Sequence, residues 1–149
     1  MLRPCLALAT VLTFAACGGD SGTNPDPGGN GGGNNGGSDR VVKADPSFGS
    51  DIQEIFNRTG CSASSCHGAA ESAGLRLTTG ESYGELVNVQ ATSEPVVRVI
   101  PGDATGSYLV IKLEGRQTVG ARMPEGGTPL DAIDMGNIRN WINQGAKNN

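Results

Sequence analysis

The chain has 149 residues, which is room for one ordinary domain, and a formal net charge of −4. This mild negative charge argues against nucleic-acid binding, which needs a basic patch. Aromatic residues make up 4% of the chain, so side chains alone would build a thin core. Two scarce residue types are more informative, because the chain has one histidine, His67, and four cysteines, Cys5, Cys17, Cys61 and Cys66.

The first residues have the pattern of an export signal. A short positive start at residues 1–3 precedes an apolar run over residues 5–16, which is too short to span a bilayer as a mature helix. Small residues just before Cys17 resemble the lipobox of bacterial lipoproteins, in which the cysteine is acylated and becomes the new N terminus. Residues 1–16 are therefore predicted to be a lipoprotein signal peptide. The alternative is an ordinary secretory signal that leaves Cys17 as a free thiol.

Glycine and asparagine dominate the next segment. Such a composition buries no apolar surface, so residues 17–39 are predicted to be the acylated Cys17 and a disordered tether. A flexible coil of this length spans about 25 Å. The domain predicted for residues 40–149 would then stay anchored to a bacterial membrane while facing the periplasm or the cell exterior.

Short helical patterns follow in the predicted domain. Ser50 and Gln53 match a capping box, which predicts a first helix ending at Gly60. Three more helices are predicted, over residues 80–87, 107–113 and 128–144.

Two of these segments carry further signals. The last helix opens at Thr128-Pro129, since proline suits a first helical turn. Its apolar stripe consists of Met135, Ile138 and Ile142, with Trp141 at the edge. Residues 96–100 are β-branched and precede Pro101, which predicts extended backbone and a short strand at most.

These patterns together predict a mainly α fold of small helices joined by glycine-rich loops. With so few aromatic side chains, such a fold favours a domain built around a buried flat cofactor, whose apolar area would complete the core.

The sequence Cys61-Ser-Ala-Ser-Ser-Cys66-His67 carries the chemistry and follows the first predicted helix directly. In haem c attachment, two thiols add to the vinyl groups of the porphyrin and the adjacent histidine reaches the iron from one face. The usual spacing places two residues between the cysteines, and this chain has four. The longer loop must therefore bulge to bring both sulfurs to one edge of the ring.

Residues 52–146 resemble the cytochrome c-like domains of class I type, especially those of planctomycete-type multidomain proteins and related lipoproteins. The resemblance rests on an apolar helix before Cys61 and on a series of short motifs in a fixed order. These motifs are Cys66-His67-Gly68, Gly74-Leu75-Arg76-Leu77, Val99-Ile100-Pro101-Gly102-Asp103, Ser107-Tyr108-Leu109, Arg122-Met123-Pro124-Glu125 and Ile138-Arg139-Asn140-Trp141-Ile142-Asn143-Gln144-Gly145-Ala146.

The resemblance implies a small class I helical domain wrapped around one covalent haem c, with long loops. The family uses a methionine followed by proline as the second axial ligand, which corresponds to Met123, whereas Met135 fits the core of the last helix. His/Met ligation favours Fe(II) and raises the reduction potential relative to bis-histidine ligation. The expected function is electron transfer with unidentified redox partner proteins, with no catalytic residues and no enzymatic activity.

Three other residues receive expectations from general chemistry. A ligating imidazole donates its second N–H to a carbonyl or carboxylate, and the resemblance points to the Pro101 carbonyl. Arg98 and Arg122 could bind haem propionates, because guanidinium pairs with carboxylate in a bidentate manner. For both arginines a solvated surface position is an equal alternative.

Other interpretations of the cysteine motif stay open. A structural Cys61–Cys66 disulfide suits an oxidising compartment. A zinc site would need a carboxylate such as Glu71 beside the two thiolates and the imidazole. A thiol-redox protein would need a different cysteine spacing. A haem-binding sensor or accessory domain is the alternative in which haem is bound without carrying electrons in a respiratory chain.

Overall fold

The computed structural model describes residues 40–149. The predictions for the signal peptide, the acylated Cys17 and the tether concern residues 1–39 and lie outside the described residues. Within residues 40–149, four α-helices follow in chain order: α1 (Gln53–Arg58), α2 (Ser82–Leu86), α3 (Tyr108–Glu114) and α4 (Ala132–Asn143). A π-helical turn, Phe48–Ile52, leads into α1, and a 3-10 turn spans Ser72–Gly74.

Helices are the regular structure of the described segment, which confirms the prediction of a mainly α fold. Between residues 40 and 149, β pairing is limited to isolated bridges, such as Val87 with Val99 and Gln90 with Val97. Residues 96–100 are therefore extended as predicted, without forming a strand. None of the helices in this range is long and apolar enough to cross a membrane.

The first helical segment begins earlier than predicted, so the Ser50–Gln53 capping box is wrong. Ser47 is the N-cap residue before the π-helical turn, and its N–H donates to Asp51 Oδ2 at 2.8 Å. Gln53 is only 3% exposed. Its amide donates to the Leu77 carbonyl at 2.9 Å and accepts from the Ser82 hydroxyl. These tertiary partners draw the Gln53 side chain into the core and away from a capping role.

The last helix begins at Ala132 and not at Thr128-Pro129, because Asp131 caps it. The Asp134 N–H donates to Asp131 Oδ1 at 2.9 Å, which satisfies one of the free donors of the first turn. The predicted stripe is confirmed, since Met135, Ile138 and Ile142 are all buried.

Trp141 is more deeply buried than predicted, since the sequence places it only at the edge of the apolar stripe. It is 1% exposed and packs against Phe48, with ring centroids 5.1 Å apart. Its indole N–H donates to the Lys147 carbonyl at 2.9 Å. Trp141 thus packs between the start and the end of the described segment.

The segment that precedes the π-helical turn is hydrogen-bonded to α4. The Lys43 N–H donates to Asn137 Oδ1 at 2.7 Å, and the Asn137 amide returns a hydrogen bond to the Val41 carbonyl at 3.0 Å. Nearby, the buried carboxylate of Asp134 pairs with Arg40 at 2.9 Å and with Arg58 at 2.8 Å. The same carboxylate therefore joins this segment, α1 and α4.

The core consists of the π-helical turn and α1 packed on α4, with side chains from the other elements completing it. Its buried members are Phe48, Ile52, Ile55, Phe56, Leu77, Leu86, Val99, Ala104, Val110, Leu113, Met135, Ile138, Trp141, Ile142 and Ala146.

Replacing Asp131 with alanine is expected to lower the free energy of unfolding by about 1 kcal/mol at neutral pH, the usual cost of losing an N-cap. The Asp134 N–H and the Arg40 guanidinium lower the pKa of the Asp131 carboxyl. The charged cap therefore contributes fully above its unfolded pKa of about 3.9, and the contribution is lost as pH falls through the lower folded pKa.

Urea unfolding at neutral pH and below about pH 4 measures this effect, since the difference from the wild type should shrink in acid. Asp131→Asn keeps a capping oxygen and should cost less than the alanine variant. An alanine variant as stable as the wild type at neutral pH would show that this cap adds nothing.

Candidate functional site

A cleft in the described domain brings the four predicted site residues together. Cys61, Cys66, His67 and Met123 all line it, although Met123 comes from a distant part of the chain. The cavity volume is about 240 Å³, below the roughly 300–1,000 Å³ typical of ligand pockets, and the cleft opens to solvent.

Apolar side chains from several elements form most of the remaining wall. Such a lining favours a flat apolar ligand and excludes water from the groups around it. These side chains are Phe56, Leu75, Leu77, Leu86, Leu109, Leu113 and Leu130.

The loop that carries the cysteines folds back on itself. The Cys66 N–H donates to the Ala63 carbonyl at 2.9 Å, and the His67 N–H donates to the Cys61 carbonyl at 3.1 Å. The four residues between the cysteines therefore form a tight turn, and the two ends of the loop meet.

Gly68 lets this loop close. It is buried, and a Cβ at this position would lie 2.5 Å from the Ser62 carbonyl oxygen and 2.7 Å from that of Ala63. Real side chains do not approach backbone oxygens so closely, so the turn can adopt this geometry only with glycine after His67.

The two thiols differ in environment. Both cysteines are free; Cys66 is exposed, whereas Cys61 is partly buried and packs on the core. Burial raises the pKa of the Cys61 thiol, and the nearby Cys66 adds to the rise. The Thr59 hydroxyl, 3.3 Å from the Cys61 sulfur, opposes the shift. Because Cys66 is exposed and Cys61 is partly buried, Cys66 is the more accessible thiol of the pair.

His67 is held at both its backbone and its ring. Its carbonyl accepts from the Leu77 N–H at 2.6 Å, and Nδ1 lies 3.3 Å from the Leu75 carbonyl oxygen. Because a carbonyl can only accept, this contact requires the tautomer with the proton on Nδ1. The lone pair of Nε2 is then free for a metal. The prediction that Pro101 supplies the carbonyl is wrong, because the loop after His67 returns beside the ring and places Leu75 there.

Met123 reaches the cleft from the loop between α3 and α4. Its N–H donates to the Lys112 carbonyl at 2.9 Å, and its partly buried side chain packs against the core. Met135 lies within the core cluster and is 9% exposed. The placement of the two methionines agrees with the predicted division between a site residue and a core residue.

The two predicted propionate partners differ in position. Arg98 lines the cleft, but its guanidinium donates to the carbonyls of Gly74 and Glu85, at 2.7 and 2.8 Å. Arg122 contacts the Gly127 carbonyl at 3.4 Å and lies against Gly115, and it is not part of the cleft lining. The Arg122 expectation therefore has no support from its position.

Sequence reasoning missed two polar residues of the cleft wall, Tyr108 and Lys112. The Lys112 ammonium lies 5.9 Å from the centre of the Tyr108 ring. The Tyr108 hydroxyl donates to Glu94 at 2.9 Å, and burial together with this carboxylate raises the tyrosine pKa. Their spacing of four residues on α3, beside the cleft-lining Leu109 and Leu113, was a signal that they share a face.

The donor set distinguishes among the cofactors considered. Across residues 40–149, no three His, Cys, Asp or Glu side chains are grouped to hold a metal ion, and Glu71 pairs with Arg76. The zinc alternative therefore has no support here. Two thiols on one loop, an imidazole with an anchored Nδ1, a thioether and apolar walls do fit haem c.

Comparison of the chain with protein-family models, with curated proteins and with solved structures gives no match.

Proposed function

We propose that the domain formed by residues 40–149 binds one haem c covalently and carries single electrons. The observation that supports this most directly is the convergence of Cys61, Cys66, His67 and Met123 on one apolar cleft. A class I cytochrome c-like fold, wrapped around the haem with long loops, is part of the proposal.

Each residue of the cleft has a definite role in this proposal. Cys61 and Cys66 would supply the two thiols that hold the haem covalently. His67 would bind the iron through Nε2 while Leu75 holds Nδ1. Met123 would supply its thioether sulfur as the second protein ligand. When bound, the haem supplies an iron that alternates between Fe(III) and Fe(II).

The protein's contribution to electron transfer is to keep this environment unchanged between the two oxidation states. In this proposal His67 and Met123 would both bind the iron, which would leave no coordination site for a substrate. The apolar leucines around the cleft exclude water and limit the solvent reorganisation that a change of charge would cause. These features favour an electron carrier, with a haem sensor or accessory domain as the alternative and no enzymatic role.

The location of the domain is a second part of the proposal. The apolar run before Cys17 and the glycine-rich segment after it support export, acylation of Cys17 and attachment to a bacterial membrane. A membrane-attached carrier would exchange electrons with redox proteins in the periplasm or at the cell exterior.

Covalent haem attachment is expected when the full chain is exported from cells that have a cytochrome c assembly system. A pyridine haemochrome spectrum should show haem c, and acid–acetone should not extract the haem. In the detergent-solubilised protein, intact mass should equal that of the chain beginning at acylated Cys17 plus one haem. The paired variant Cys61→Ser with Cys66→Ser is the control and should carry no covalent haem.

A mass that fits a haem-free chain two hydrogen atoms lighter than the dithiol form would contradict the proposal and favour the Cys61–Cys66 disulfide. A mature chain that begins elsewhere and carries no acyl groups would refute the anchor alone.

A further inference from the structure

Arg98 is a buried cation in the cleft wall that neither haem attachment nor iron ligation requires. The residue is 6% exposed. Its backbone is fixed on both sides, because its N–H donates to Val89 at 2.8 Å and its carbonyl accepts from Leu109 at 2.9 Å. Burying a guanidinium is costly unless its donors find acceptors, so the contacts of this side chain indicate its role.

The guanidinium bridges two backbone segments. One terminal nitrogen donates to the Glu85 carbonyl at 2.8 Å, in the last turn of α2, and lies 3.2 Å from the half-exposed Glu85 carboxylate. The other donates to the Gly74 carbonyl at 2.7 Å. A planar fork with fixed donor directions suits this bridge, whereas a lysine ammonium cannot hold two carbonyls in the same plane.

The Gly74 carbonyl directly precedes the group that orients His67. The Leu75 carbonyl, one peptide unit further along, lies 3.3 Å from His67 Nδ1. The two carbonyls are separated only by the φ and ψ torsions of Leu75, so fixing the Gly74 carbonyl restricts the positions that the Leu75 carbonyl can take. Thr92 holds the preceding unit, since its hydroxyl donates to the Ala73 carbonyl at 2.6 Å.

We propose that Arg98 is a positioning residue that orients the His67 imidazole through the Gly74–Leu75 backbone. The inference rests on the proposed function in one respect, namely that His67 is an axial ligand. A fixed hydrogen bond at Nδ1 sets the ring orientation and increases the electron donation from Nε2. Arg98 therefore affects the iron without touching it.

A positioning role and a purely electrostatic role change the reduction potential in different ways. A buried positive charge near the cleft disfavours Fe(III), so losing that charge would lower the potential. Losing the hydrogen bond at Nδ1 weakens donation to the iron, so Fe(III) is less stabilised and the potential rises. Arg98→Lys keeps the charge and breaks the bridge. It should raise the potential if Arg98 acts by position and leave it unchanged if Arg98 acts only by charge.

The direct measurement is the solvent exchange of the His67 Nδ1 proton, observed by NMR in the exported, isotope-labelled full chain in its reduced state. Arg98→Lys should speed this exchange roughly five- to tenfold, as expected for the loss of one hydrogen bond. Arg98→Gln should speed the exchange of the Nδ1 proton by a similar factor, and it provides the test if the lysine variant does not fold. Arg139→Lys is the matched control, because Arg139 is exposed on α4 and pairs with Glu114. Arg139→Lys should change neither the exchange rate of the His67 Nδ1 proton nor the reduction potential.

Unchanged exchange in a folded Arg98 variant would overturn the proposal, as would a wild-type proton that exchanges as fast as that of free histidine. Haem content is read separately from the spectrum of the same samples. Absence of haem would refute the proposed function, while the Nδ1 proton would still report the hydrogen bond to Leu75.

Discussion

Replacing Met123 with alanine is expected to open one axial position of the iron. Fe(III) protein should lose the long-wavelength absorption that the resemblance to class I cytochromes leads us to expect from a Met–Fe(III) bond. Fe(II) protein should then bind carbon monoxide, and Fe(III) protein should bind cyanide. The reduction potential should fall, because a soft ligand that favours Fe(II) has gone. Absorption spectroscopy with and without these ligands, together with a redox titration, measures all of these changes.

Met135→Leu is the matched control. Met135 is 9% exposed within the core, and leucine conserves volume and apolarity, so the cost should stay below about 1.5 kcal/mol with the spectrum unchanged. If Met135→Leu removed the absorption while Met123→Ala kept it, the two assignments would be reversed. If the wild-type protein bound carbon monoxide freely, the carrier proposal would give way to a gas-sensing or peroxidase-like role.

The helices were predictable where local pattern decided them. Met135, Ile138 and Ile142 recur at helical spacing, and the structure buries all three. The helix starts were less predictable, because distant residues compete for the same side chains. Gln53 would satisfy a capping box in isolation, but Leu77 and Ser82 bind its amide in the folded protein. No local sequence window contains these partners.

The same distinction applies to the site. Cys61, Cys66 and His67 are close in sequence, and the proposed haem attachment would account for their grouping. Met123 could be proposed only through the resemblance, since the fold had to bring it to the cleft. The carbonyl beside His67 was misassigned to Pro101, because every residue has a backbone carbonyl and the sequence does not show which one contacts the ring. Which of them meets the ring depends on the path of the chain after His67, where Leu75 returns to it.

Gly68→Ala adds a single methyl group but is expected to destabilise the protein. The added methyl group would meet the Ser62 and Ala63 carbonyl oxygens at 2.5 and 2.7 Å, and these backbone atoms cannot rotate away as a flexible side chain would. The turn between the cysteines would have to shift, at a cost of about 1–3 kcal/mol, as is usual for overpacking. If haem attaches through these thiols as proposed, a displaced turn should also lower the covalent haem content per chain.

Gly84→Ala introduces the same methyl group without the collision. Gly84 is exposed in the middle of α2, and a Cβ there has no atom within 4 Å. Alanine favours the helix over glycine by about 0.5–1 kcal/mol, so this variant should be slightly more stable and carry a full complement of haem. Urea unfolding and the haem-to-protein ratio of the exported variants measure both effects. Equal stability and equal haem content in the two variants would show that the close contact at Gly68 does not govern this loop. If alanine lowers the free energy of unfolding at Gly68 and raises it at Gly84, Gly68 is identified as the residue that lets a cysteine loop of this length close against His67.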